Sequence, residues 1–218
     1  HKQAHLRIAD AVTGEIRDLF EEVVGTFFES GNGMVNWRYL PRSNEIIWFS
    51  QRDEWGHLYL YDLQSAELKQ QITTGVGNVT QLLRVDEENR LLYFLGVGRE
   101  PGRNPYYRHL YRVGFDGQQL KLLTPEDGDH NVTLAPSGQF FIDRNSEPDV
   151  PPIATLRAAD GQHILTLEQA DLSRLTATGW RPPLPFTVKA RDGVTDLHGL
   201  LFRPTNFDEN RQYPIINQ

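Results

Sequence analysis

The feature that most constrains this chain is an internal repeat. GHLYLYDLQSAELKQQIT (56–73) and RHLYRVGFDGQQLKLLT (108–124) each run His-Leu-Tyr, strand, Asp-containing turn, and a second strand closing on Thr. HLRIADAVTGEIRDL (5–19) follows the same plan, and IATLRAADGQHILTL (153–167) follows it more loosely. Ahead of three of these hairpins lie two further strand-like runs: MVNWRYL then NEIIWFSQ, VTQLLRV then RLLYFLGV, and NVTLAPS then QFFIDRN. Four strands recurring at a period of roughly 45–55 residues is the arithmetic of a β-propeller blade. EIIWF, LLYFL and HLYLY are apolar on both alternating faces, as expected of sheets sandwiched between neighbours. The sequence therefore predicts an all-β fold, a partial β-propeller of about three and a half four-stranded antiparallel blades. That is fewer than the four or more blades that close a ring, so a segment cut at both ends is expected.

Helical periodicity is nearly absent, and TLEQADLSRLTAT (166–178) is the one stretch expected to carry a short connecting helix. After it the pattern changes. Phe186, Val188 and Ala190 alternate with polar residues, Arg191-Asp192-Gly193 supplies a turn, and Leu197–Phe202 returns as the second strand of a hairpin. Tyr213-Pro214-Ile215-Ile216 then begins what reads as a further strand. The organisation expected is a propeller over 1–183 and the opening strands of a second domain over 184–218.

Several functions are excluded by composition. A net charge of -7 argues against a nucleic-acid surface. No window approaches the roughly 20 apolar residues of a membrane-spanning helix, and His1-Lys2-Gln3-Ala4-His5 lacks a signal-peptide core. The absence of cysteine removes disulfides, thiolate metal sites and a cysteine nucleophile.

SQRDEWGHLYLYDL, VTQLLRVDEENRLLYFLGV, YYRHLYRVGFDGQQLKLLT and FFIDRNSEPDVPPIATLRAADG resemble, in that succession, the later propeller blades of the dipeptidyl peptidase IV group of the prolyl oligopeptidase superfamily. FTVKARDGVTDLHGLLFRPTNFDENRQYPIINQ resembles the opening strands of that family's α/β-hydrolase domain. The resemblance implies a parent serine exopeptidase that removes N-terminal dipeptides after proline or alanine through a Ser-His-Asp triad. It implies a homodimer acting on peptides, with no cofactor, at a bacterial periplasm or cell surface. The triad, the oxyanion tyrosine and the paired glutamates that hold the substrate amine have no match within 1–218, so the chain alone is expected to be inert. Two other readings are an acylaminoacyl peptidase or oligopeptidase of the same superfamily, and a propeller that serves only as a binding scaffold. The hydrolase-like strands at 184–218 argue against the scaffold.

By the same resemblance, VVGTFFESGNG (23–33) falls where the family places a loop whose aromatic residue lines an extended part of the substrate pocket, which makes Phe27 and Phe28 the candidate substrate contacts. Strand alternation would send only one ring into the cavity. Family members with an Arg beside this aromatic differ from this chain, where Glu29 follows Phe28. Glu21-Glu22 reads as a solvated acidic loop edge instead of an amine clamp. Ser137 reads as a turn residue, and His57 and His109, at equivalent positions, as a repeated structural hydrogen bond. His1 and His5 do not suggest a metal site in what reads as a strand. Asn78-Val79-Thr80 and Asn131-Val132-Thr133 fit a glycosylation pattern that carries no further support. The long polar stretch 98–105 is expected to project as a mobile loop. The uncovered faces of the terminal blades are expected to drive self-association.

Overall fold

Alternation in the first twenty residues, with apolar Ala4, Leu6 and Ile8 on one side, makes two long strands, β1 (Gln3–Ala9) and β2 (Ile16–Val23), paired antiparallel. They are joined by a turn in which the Asp10 carboxylate accepts the backbone N–H groups of Val12 and Thr13. This is a computed structural model, and it describes residues 2–25, 28, 34 and 36–216.

Three four-stranded antiparallel sheets follow among the described residues. The first consists of β3 (Arg38–Leu40), β4 (Glu45–Ser50), β5 (His57–Asp62) and β6 (Leu68–Gln71). The second is β7 (Asn78–Asp86), β8 (Leu91–Val97), β9 (His109–Gly114) and β10 (Lys121–Leu122). The third is β11 (Asp129–Leu134), β12 (Phe140–Glu147), β13 (Val150–Ala158) and β14 (His163–Gln169). Each is a simple meander, with strands neighbouring in space in the order in which they occur in sequence. These are the predicted blades, and β1–β2 is the outer half of a preceding one.

Blade stacking is what the two-sided apolar strands require. Ile47, Leu58, Leu92, Phe94 and Leu110 are completely buried, and one cluster joins the first blade to the second through Leu40, Phe49, Leu60, Val79 and Tyr111. Burial of each such side chain is worth ~1.5–3 kcal/mol, so the junction between blades is also the core. A second cluster packs β1–β2 on the other face of the first blade, and a third joins the second and third blades. The turn glycines Gly117 (φ +76) and Gly161 (φ +90) press against the preceding blade's outer strand. A Cβ there would stand 3.1 Å from the Ile72 carbonyl oxygen and 2.8 Å from that of Leu123.

One expectation is narrowed and two need correction. The helix predicted within 166–178 is a single turn, α1 (Ser173–Thr176), and residues up to Gln169 continue as β14, because Thr166, Leu165 and Glu168 pair with β13. The stretch 98–105 is not a free projection. Arg99 lies over the rings of Phe94 and Tyr111 and donates to the Thr74 carbonyl (2.8 Å), and Tyr111 donates to Glu100 (2.8 Å). Arg103 donates to the carbonyls of Pro125 (2.7 Å) and Glu126 (3.2 Å). The loop is thus fastened to the connections on both sides of its blade. Finally, Tyr213–Ile216 forms no strand. No neighbour among the described residues offers it a ladder, and Tyr213 instead stacks on Phe207 (5.1 Å) and accepts from the Asp208 N–H (2.8 Å). Strand geometry needs partners for its backbone groups, and among the described residues none pairs with Ile215 or Ile216, whose side chains are exposed.

The hairpin expected from 186–202 is present as β15 (Leu184–Lys189) and β16 (Asp196–Leu201), with Asp192 capping its turn through Val194 and Thr195. β14 is exposed along its whole length, including Ile164, Leu165 and Leu167.

Candidate functional site

In an antiparallel meander the connection between the second and third strands emerges at the same end as the link to the next blade. Residues 24–25, 28, 34 and 36–37 and segments 51–56, 72–77, 98–108 and 148–149 therefore share one end of the blades. The contacts agree. Gly56 N–H donates to Asn78 Oδ1 (2.7 Å), Arg99 reaches Thr74, and Arg103 reaches Pro125. The β15–β16 hairpin approaches this same end, where the Tyr106 and His198 rings meet edge to face at 5.9 Å. Between hairpin and blades is an open cleft of about 1250 Å³, lined among others by Asn104, Tyr107, Pro148, Phe186 and Leu200.

Phe28 belongs to this end. Its half-buried ring lies 6.3 Å from that of Trp48 and packs on the cluster formed by β1–β2 and the first blade. Phe27 lies outside the described residues.

Beneath Phe28 is a polar cluster that the sequence reading missed. Glu22 is not a solvated loop edge. β2 continues through Val23, and alternation turns Glu22 inward, leaving it only 7% exposed, while Glu21 faces out. Its Oε2 accepts from Trp48 Nε1 (2.7 Å) and Arg52 Nη2 (3.1 Å), and its Oε1 accepts from Ser50 Oγ (2.5 Å). Arg52 also donates from Nε to Ser50 Oγ (2.9 Å) and from Nη1 to the Tyr61 hydroxyl (2.7 Å), with its guanidinium 4.4 Å above the Tyr59 ring. Burial would lower the pKa of Arg52, but the Tyr61 hydrogen bond and the Glu22 charge outweigh it and raise it. Phe20 stacks on Tyr61 (4.2 Å) and meets Trp48 edge-on (5.4 Å). The signal available in sequence was the in-out alternation of LFEEV, which makes the second glutamate a core residue once β2 is allowed to run its full length. Buried to 7% exposure with three protein donors on its two oxygens, Glu22 is committed to holding β2 against the first blade.

The remaining candidates are structural. Ser137 Oγ accepts from Gln139 N–H (3.3 Å) in a turn closed by Gly138 and Ala135. His57 Nδ1 lies 3.1 Å from Thr73 Oγ1 and Nε2 3.1 Å from the Gly75 carbonyl, while His109 Nδ1 lies 3.0 Å from the Thr124 carbonyl. Burial lowers the pKa of both histidines. Asn78, read without a role, locks Gly56, and Asn131 accepts from Arg144 (3.1 Å). His5 sits across from Glu21 on the exposed face of β1–β2, and His1 lies outside the described residues. Among the described residues no cluster of three or more His, Asp or Glu could hold a metal ion, and no helix is long and apolar enough to cross a membrane.

Comparison with known proteins adds the family. The profile of the dipeptidyl peptidase IV (DPP IV) N-terminal region matches residues 1–152. Dipeptidyl peptidase 4 of Arthroderma otae is 26% identical over 205 residues, covering 85% of this chain and 24% of the relative. Venom dipeptidyl peptidase 4 of Vespa velutina is 27% identical over 167 residues, covering 72% of this chain and 21% of the relative. Among solved structures, a putative dipeptidyl aminopeptidase IV from Bacteroides ovatus superimposes with a TM-score of 0.74 at 27% identity, over 98% of this chain and 32% of that one. Porphyromonas gingivalis dipeptidyl peptidase 4 shares the fold, with a TM-score of 0.78 at 19% identity over 98% and 29%. The chain thus spans a quarter or less of these curated relatives and about a third of these structures. With stacked four-stranded blades, the order of its strands and a profile match over well more than half its length, the chain belongs to the dipeptidyl peptidase IV N-terminal region family.

Proposed function

We propose that this chain is the non-catalytic propeller portion, with the first hydrolase strands from residue 184, of a serine exopeptidase that releases N-terminal dipeptides after proline or alanine. Its role there is to admit short peptides to a nucleophile carried elsewhere in the full-length protein and to supply one wall of the substrate pocket. The observation that carries the reading is the family match together with the position of Phe28 at the blade end that the β15–β16 hairpin approaches. The acyl-transfer chemistry belongs to a Ser-His-Asp triad outside these residues. Phe27 and Phe28 are the proposed wall residues, with the enzyme a periplasmic or surface-exposed bacterial homodimer.

The test is a pair of assays. The full-length protein should cleave Gly-Pro-para-nitroanilide, and residues 1–218 alone should not. In the full-length protein, Phe28→Ala should raise KM for a hexapeptide with penultimate proline about tenfold, and for the dipeptidyl anilide less than twofold. Equal effects on both substrates would remove Phe28 from the pocket wall, and lack of dipeptidyl activity in the folded full-length protein would overturn the reading.

A further inference from the structure

Resting on that reading, we infer that Glu22, Trp48 and Arg52 are positioning residues for the substrate-facing ring of Phe28, and that they set the preference for longer peptides without touching substrate themselves.

The inference starts from what holds the surface under Phe28. Its neighbour is the indole of Trp48, and the indole is fixed by two contacts of different kinds: Phe20 meets it edge-on, and its one N–H donates to buried Glu22. An indole ring has a single polar handle, so a buried acceptor at 2.7 Å selects one orientation of an otherwise apolar disc. Glu22 in turn cannot swing. Ser50 from the end of β4 and Arg52 from the β4–β5 connection hold its two oxygens, and Arg52 is itself stacked on Tyr59 and bonded to Tyr61. A buried ion pair is weak evidence for stability, because desolvation offsets most of the Coulomb gain. What it does supply is a fixed geometry, and here that geometry ends at Phe28, in the segment that follows β2.

Three properties separate this role from plain structural support. The cluster bridges two units, β2 from the preceding pair and β4–β5 from the first blade, so it registers the β2 exit against the neighbouring blade. It lies at the end of the blades that faces the β15–β16 hairpin. And Arg52, a third exposed, is the only charged member that reaches solvent, so a change there alters the surface beside Phe28 as well as the support below it.

The experiment uses the full-length protein and two substrates, the dipeptidyl anilide and the hexapeptide. Glu22→Gln keeps the shape and an acceptor but removes the ion pair, Trp48→Phe keeps the aromatic platform but removes the N–H, and Arg52→Lys keeps the charge but removes the fork. Glu22→Gln and Trp48→Phe should each raise KM for the hexapeptide about three- to tenfold, with kcat on either substrate moving less than twofold. Arg52→Lys should give a smaller rise in the same direction. A variant acting only on folding would lower the active fraction, hence kcat on both substrates equally, and leave the ratio of the two KM values unchanged. That result, or an unchanged ratio in Glu22→Gln and Trp48→Phe when Phe28→Ala raises it, overturns the inference and leaves the pocket wall standing. If Phe28→Ala itself has no selective effect, the pocket reading fails first.

Discussion

The two junctions between whole blades use the same fastener around different cores. At the first, Gly56 N–H donates across to Asn78 while Leu58 N–H holds Thr73 Oγ1 at the end of its own blade, and at the second, Arg108 N–H donates across to Asp129 while Leu110 N–H holds Thr124 Oγ1 at the end of its own blade, at 2.7–2.9 Å throughout. Behind the first fastener the second blade is dry, with Val79, Phe94 and Val113 in its core. The strand registers place His130, Asp143 and Arg157 at the matching positions of the third blade, and all three are buried. His130 Nδ1 faces Asp143 Oδ1 at 2.8 Å, Arg157 Nε donates to Asp143 Oδ2 (3.1 Å), and Arg157 Nη2 pairs with Glu126 (2.6 Å). The blade geometry is indifferent to whether these positions are oily or ionic, provided that the ionic set is satisfied. The two cores differ in how they should fail, because a trimmed apolar side chain leaves a cavity while a trimmed ion leaves charge without its partner.

The largest effect is therefore expected at Asp143. Asp143→Ala removes the buried partner shared by His130 and Arg157 Nε, leaving Arg157 only the half-exposed Glu126, and should cost about 3–5 kcal/mol in urea unfolding. Transplanting the second blade's residues as the triple change His130→Val, Asp143→Phe, Arg157→Val should cost much less than the single change. A triple variant as unstable as Asp143→Ala would show that the charges fix the third blade's backbone in a way that the apolar set cannot.

An intermediate effect is expected with pH. His57 and His109 titrate below their ordinary value because burial opposes the charged form, with Asp53 pulling against this at His57 and the Thr124 carbonyl at His109. Both stay neutral in the fold while the unfolded chain takes up protons. Their contribution is full above the unfolded value of about 6.5 and is lost as pH falls through it toward the lower folded values. Each histidine adds a slope of up to about 1.4 kcal/mol per pH unit in that window. His57→Gln and His109→Gln should each remove one histidine's share from the stability profile measured between pH 7 and pH 5, and an unchanged slope in either would mean that its ring takes up a proton as readily in the fold as in the unfolded chain.

The smallest loss is expected at the fastener's neutral acceptor. Asn78→Ala removes a neutral acceptor and should cost about 0.5–1.5 kcal/mol, whereas Asp129→Ala removes a charged one that also pairs with the Arg108 side chain and should cost about 1.5–3 kcal/mol. Equal losses on urea titration would show that the backbone bond alone carries both fasteners.

Repetition made much of this legible. His57 and His109 declare a structural role because a catalytic histidine would not occur twice, and the threonines that close the repeat mark the blade ends. What the sequence hid were the contacts between segments distant along the chain. Glu22 looked like half of an acidic pair until strand pairing carried β2 to Val23, and its partners lie 26 to 30 residues away. Residues 98–105 looked free because nothing local reveals that Arg99 and Arg103 find carbonyl acceptors in the flanking inter-blade links. Tyr213-Pro214-Ile215-Ile216 has strand composition, but a strand is a property of two segments, and a local pattern supplies one.

The fastener at each blade end also has a consequence for descent. The second blade carries one half of the joint at its start, Asn78, and the other half before its third strand, the Arg108 N–H, while the first blade supplies the Gly56 N–H and the third supplies Asp129. The first blade could therefore meet the third directly, or the second meet another copy of itself, head to tail, much as identical subunits do in a heterologous assembly. A gene that duplicated or lost the second blade would leave every such joint with both halves, so the number of blades can change in a single genetic event, and only the rotation per blade decides which numbers close a circle.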